Sequence, residues 1–97
     1  MRSVQNPSLL KAFAAEVKAR RGSLQISQDE LAFRSGLSRT FLGKIEIAKN
    51  QPSLTALFKL ADGLQVGPDE LLGAVQSRLR KEEQARGKGA KASPVRL

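Results

Sequence analysis

Apolar residues in this chain recur at helical spacing in five short runs divided by polar turns, and no stretch alternates with the two-residue period of a strand. In the first run Leu9, Leu10, Phe13, Ala14 and Val17 share one face. Asn6-Pro7 marks its start, with Asn as the cap and Pro at the first helical position. The run reaches Arg20-Arg21 with Gly22 as its stop, and SLQ at 23–25 reads as a connecting loop. SQDE at 27–30 places Ser27 and Glu30 as a capping box, with Ile26 and Leu31 where a hydrophobic staple would pair. A second helix is expected to about Ser35, ended by Gly36 in the left-handed region. Ser38 caps a third helix over 39–47. Ser53 caps a fourth after Pro52, with Leu54, Leu57, Phe58, Leu60, Ala61 and Leu64 as its expected buried side. Gly67-Pro68-Asp69-Glu70 opens a fifth, whose apolar residues are Leu71, Leu72, Val75 and Leu79.

From Arg86 the text becomes RGKGAKASPVRL, rich in Gly and Lys and nearly free of core residues, so this segment is expected to be disordered. The chain therefore divides into an N-terminal arm (1–6), a helical domain (7–79), and the end of the last helix with a basic flexible tail (80–97).

Composition mainly excludes. The 97 residues contain no Cys and no His, which removes disulfides, thiol nucleophiles, the usual zinc sites and His-based acid–base chemistry. No catalytic constellation, metal site or cofactor site is expected. No stretch approaches the about 20 uninterrupted apolar residues of a membrane span. A soluble, cytoplasmic protein without a membrane partner is the expectation. The net charge of +8 favours a polyanionic partner. Its distribution tempers that reading, because residues 78–97 carry net +5 and residues 1–77 only +3.

The second and third helices with their glycine turn form a helix-turn-helix unit over 27–47. Each steric demand of the unit is met by a particular residue. Ala32 is small where the helices cross, Gly36 tolerates positive φ, and Leu37, Leu42 and Ile45 face Leu31 across the join. On a helical wheel Phe41, Leu42 and Ile45 gather on one side of the third helix. Arg39, Thr40, Gly43, Lys44 and Ile47 fall on the other. A helix lying in the major groove presents its outward and N-terminal residues to base edges. Arg39 and Lys44 are thus candidate donors to guanine, and Thr40 offers a hydroxyl and a methyl. Gly43, at the centre of that face, costs about 1 kcal/mol of helix propensity. Its expected compensation is close approach of the backbone to DNA.

ISQDELA (26–32), SGLSRTFLGKIE (35–46), NQPSL (50–54) and LFKLADGLQVGPDELL (57–72) resemble the lambda-repressor-like, or XRE-type, helix-turn-helix regulators. The resemblance implies an all-α, compact five-helix DNA-binding domain, dimeric and acting in transcription. It implies base reading by Arg39, Thr40 and Lys44. Gln28 takes the position of the family's backbone-contacting Gln, and Ser38, Lys49 and Asn50 are the other expected backbone contacts. In the family the residue at Glu46 pairs with a basic residue of the first helix, here expected to be Lys18. Three departures stand out: Ala48 replaces a glycine, Ile47 replaces a polar residue, and the link between the first two helices is about three residues longer.

Leu72, Val75 and Leu79 are candidates either for the core or for a dimer contact on the fifth helix. The expected function is a sequence-specific double-stranded-DNA-binding transcriptional regulator, a homodimer on a palindromic operator. Two alternatives keep the fold: an antitoxin that also binds a protein toxin, and a restriction–modification controller. A third, a non-DNA interaction adaptor or an RNA binder using the tail, has few stacking aromatics in its favour.

Overall fold

The computed structural model describes residues 5–86. Residues 1–4 of the expected arm and the expected disordered tail, 87–97, lie outside the described residues. Five helices follow one another: α1 (Pro7–Leu24), α2 (Gln28–Ser35), α3 (Arg39–Glu46), α4 (Leu54–Gly63) and α5 (Pro68–Arg86). No strand occurs among the described residues.

The starts of the first four helices follow from their caps. Asn6 Oδ1 accepts from Leu9 N, Ser27 Oγ from Glu30 N, Ser38 Oγ from Phe41 N and Ser53 Oγ from Ala56 N, at 3.0–3.1 Å. Each bond satisfies one of the amides that a helix start leaves open. The capping box of α2 forms only by half. The Glu30 carboxylate accepts from Arg34 Nε at 2.9 Å on its own helix.

Gly22 does not end α1. The helix continues to Leu24, and Gln25 turns it off in the left-handed region at φ 58. Gln25 N then donates to Gly22 O, and Ile26 N to Arg21 O. Leu24 and Ile26 pack against the core, and that burial offsets the propensity cost of one glycine. The long link expected between the first two helices is therefore mostly helix, leaving only Gln25, Ile26 and Ser27 outside.

The core joins all five helices: Phe13 and Val17 of α1, Leu31 of α2, Leu42 and Ile45 of α3, Leu60 of α4, and Leu71, Val75 and Leu79 of α5. The largest interface is between α1 and α5; α3 lies against α1 and α2, and α4 against α2 and α5. Leu54 and Phe58, expected inside, are 71% and 54% exposed. The buried stripe of α4 runs through Leu57, Leu60, Ala61 and Leu64. Phe58 lies about 100° round from Leu57, and Leu54, as the first residue of the helix, sits at its rim.

Polar ties reinforce two joins. Buried Glu16 on α1 accepts from Arg20 Nε and Arg78 Nε, each at 2.6 Å, linking α1 to α5. Where α2 crosses α4, a Cβ on Gly63 would overlap the Ser35 hydroxyl and come within 3.1 Å of Leu31 Cδ1. Glycine is what permits that crossing.

Candidate nucleic-acid interface

The turn between α2 and α3 is built on Gly36, at φ 68. Its N–H donates to Phe33 O at 3.3 Å, and Leu37 N donates to Ala32 O at 3.0 Å. These two bonds satisfy carbonyls that the end of α2 leaves open. They set α3 against α2, on which Ala32 is buried. Leu42 and Ile45 then fill the inner face of α3, and Phe41 packs at its edge.

Arg39, Thr40 and Lys44 stand exposed on the opposite face, with Gly43 between them. Arg39 has a partner that the sequence pattern did not single out. Its Nε lies 3.1 Å from Asp29 Oδ1 on α2. Its Nη1 lies 3.0 Å from where a Cβ on Gly43 would stand. The guanidinium therefore occupies space left by the missing side chain.

The proposed phosphate ligands occupy more varied settings. Ser38 is exposed, with its hydroxyl oxygen engaged as the α3 cap. Lys49 projects from the loop after α3, next to half-buried Asn50. α3 ends at Glu46, one residue short of the expected 47, and in the loop that follows Ala48 has φ 60. Lys49 N closes the turn onto Lys44 O at 2.9 Å. The left-handed conformation therefore persists where Ala replaces the family's glycine, at a cost of about 1 kcal/mol.

Gln28 is half-buried, and its Nε2 donates to Glu46 Oε1 at 2.7 Å. Glu46 also accepts from Arg21 Nε at 2.8 Å and from Arg21 Nη2 at 2.9 Å. The expected partner Lys18 is therefore replaced by Arg21, one turn further along α1. Lys18 acts on Glu46 only through its charge. The reason is geometric: the packing of α1 against α3 sets Arg21, rather than exposed Lys18, against the end of α3. Burial pushes the Glu46 carboxyl up, but the hydrogen bonds from Arg21 and Gln28, with the charges of Arg21 and Lys18, outweigh it and leave the pKa lowered.

Of the three candidate dimer residues, Val75 and Leu79 are each 1% exposed and belong to the protomer's own core. Leu72 is 45% exposed. With Leu9 and Leu54 it walls an apolar groove of about 260 Å³ in which Val75 is only part of the lining. A residue already buried has little surface left for a partner, so Leu72 is the member of the set that remains available. Phe33 and Ile47 are also exposed apolar residues. Phe33 lies two positions beyond Leu31, on the far side of α2, and helical spacing alone would have placed it there. Among the described residues, no group of three acidic, Cys or His side chains could hold a metal ion, and no helix is long and apolar enough to cross a membrane.

A helix-turn-helix family model matches residues 17–71, more than half of the chain. No curated protein sequence matches. Among solved structures, the restriction-modification controller protein C.AhdI from Aeromonas hydrophila is 37% identical, with TM-score 0.62 over 64% of this chain and 94% of that one. A mutant of the restriction-modification controller protein C.Esp1396I is 25% identical, with TM-score 0.69 over 81% and 95%. The clp gene regulator ClgR from Corynebacterium glutamicum shares the fold at 22% identity, with TM-score 0.70 over 80% and 87%. The chain belongs to the helix-turn-helix family of DNA-binding transcriptional regulators.

Proposed function

We propose that the chain acts as a dimer on a palindromic operator, laying α3 in successive major grooves with half-sites about one helical turn apart. One observation carries this reading. Arg39, Thr40 and Lys44 stand exposed on one face of α3, while Leu42 and Ile45 anchor the opposite face with 0% and 1% exposure. Arg39 and Lys44 donate to guanine O6 and N7, and Thr40 meets a base edge or a thymine methyl. Gly43 lets the helix backbone approach the groove floor. Ser38, Lys49, Asn50 and the free edge of the Gln28 amide hold the sugar–phosphate chain on either side. The second copy seats on the groove walled by Leu9, Leu54 and Leu72. The protein works in the cytoplasm, by binding rather than by catalysis.

The biological setting favoured is control of a restriction–modification system. The 37% identity to C.AhdI, over 94% of that chain, supports it. No observation favours a toxin as partner. Selection from a random duplex pool with the full chain tests the proposal. Enrichment of a palindrome with half-sites about one turn apart is expected, and failure to enrich any motif would refute sequence-specific binding. Occurrence of that motif upstream of methyltransferase and nuclease genes would support the controller setting, and its occurrence beside a toxin gene would replace it.

A further inference from the structure

Arg39 is tied to another helix, and the way it is tied has a consequence for base reading. Asp29, in the first turn of α2, meets Arg39 at Nε, 3.1 Å from Oδ1. The two side chains are 83% and 52% exposed. Such an exposed pair contributes little to folding. Its geometry is more informative. A guanidinium carries five N–H donors in one plane. Asp29 forms an ion pair at the Nε edge of the guanidinium, and neither Nη1 nor Nη2 is hydrogen-bonded to another described residue. The absent Gly43 side chain leaves room for Nη1 on the outward face. A free two-pronged end is what a bidentate contact with guanine O6 and N7 requires.

We infer that Asp29 is a specificity-determining residue, whose carboxylate orients Arg39 for a base edge and disfavours its use as a phosphate ligand. The inference rests on the reading of Arg39 as a base reader. With Arg39 on a base, the Asp29 pair is kept, and it strengthens as the duplex displaces water. With Arg39 swung to a phosphate, Asp29 is left as a bare carboxylate beside the DNA backbone. That juxtaposition of like charges penalises every sequence that lacks the matching base.

The test is a four-protein binding cycle at fixed salt, with full-length wild type, Asp29→Asn, Arg39→Ala and the double variant. Each is titrated against the selected operator, its single-base-pair variants and a scrambled duplex. Asp29→Asn preserves the side-chain shape at an exposed position, and thermal melts confirm that each variant is folded. The expected result is tighter binding of Asp29→Asn to the scrambled duplex without a matching gain on the operator. The operator-to-scrambled ratio falls about five- to tenfold, the low end of what one bidentate base contact discriminates. The lost preference lies at the base pair where Arg39→Ala also loses preference, and in the Arg39→Ala background Asp29→Asn leaves the ratio unchanged. An unchanged ratio for Asp29→Asn alone, or an equal drop in both backgrounds, overturns the role of Asp29 and leaves base reading intact. If Arg39→Ala weakens every duplex equally, base reading by Arg39 fails, and the role of Asp29 fails with it.

Discussion

Arg21, in the last turn of α1, closes on Glu46, the last residue of α3, with Nε 2.8 Å from Oε2 and Nη2 2.9 Å from Oε1. Gln28 of α2 donates to the same carboxylate, which is 2% exposed. Three helices therefore meet at one charge behind the reading helix. Removing that charge leaves the guanidinium without its partner. Glu46→Gln is expected to destabilise the fold by about 3 kcal/mol, and exposed Lys18→Ala by no more than about 0.5 kcal/mol. Urea midpoints compare the two, and equal losses would restore Lys18 as the structural partner.

Glu46 and Glu16 together make stability sensitive to acid. Burial pushes both carboxyls up, but hydrogen bonds from Arg21 and Gln28 at Glu46, and from Arg78 and Arg20 at Glu16, leave both pKa values lowered. A carboxyl lowered in the folded state stabilises fully above its unfolded pKa, about 4.3 for Glu. That contribution is lost as pH falls through the folded value. The melting temperature should therefore drop between about pH 5 and pH 3, and the drop should flatten in Glu46→Gln and in Glu16→Gln. An identical slope in the variants would place the acid sensitivity elsewhere.

Gly43→Ala separates folding from binding. The new Cβ meets only the flexible end of Arg39, at 3.0 Å. The fold should gain up to about 1 kcal/mol of helix propensity. Operator affinity should fall, because the methyl group displaces Arg39 and holds the backbone off the groove. Thermal melts and gel shifts on the same sample read both effects. Improved affinity would mean that the glycine is incidental.

Leu72 and Leu79 distinguish the dimer surface from the core. Leu72→Glu, at an exposed site, should weaken self-association in sedimentation equilibrium while leaving the melting temperature nearly unchanged. Leu79→Ala, at a fully buried site, should cost about 2–5 kcal/mol of stability. If Leu72→Glu self-associates as the wild type does, the groove beside Leu9 and Leu54 is not where the second copy seats.

What was legible in the sequence is what short-range chemistry decides. Asn6, Ser27, Ser38 and Ser53 announce their helices because a cap bonds an amide three residues on. Gly36 announces the turn because φ 68 suits glycine. Leu42 and Ile45, against Arg39, Thr40 and Lys44, divide the two faces of α3 by spacing alone. Long-range packing decides the rest. Gly22 looks like a stop, yet Leu24 and Ile26 find core contacts that carry the helix past it. Lys18 and Arg21 lie one turn apart on α1, and only the placement of α1 against α3 selects Arg21. Asp29 reads locally as an acid suited to a helix start. Its pairing with Arg39 depends on the angle that the turn imposes between α2 and α3.

Base reading by the outward face of α3 is the central claim, and binding across every single-base-pair variant of the selected operator tests it most directly. The comparison sets Arg39→Ala and Lys44→Ala against Lys49→Ala. Each of the first two should lose ~1–3 kcal/mol and flatten the preference at one symmetric pair of positions. Lys49→Ala should weaken all duplexes alike and reduce the salt slope by about one unit. Uniform loss across all duplexes for all three variants would contradict base reading by α3.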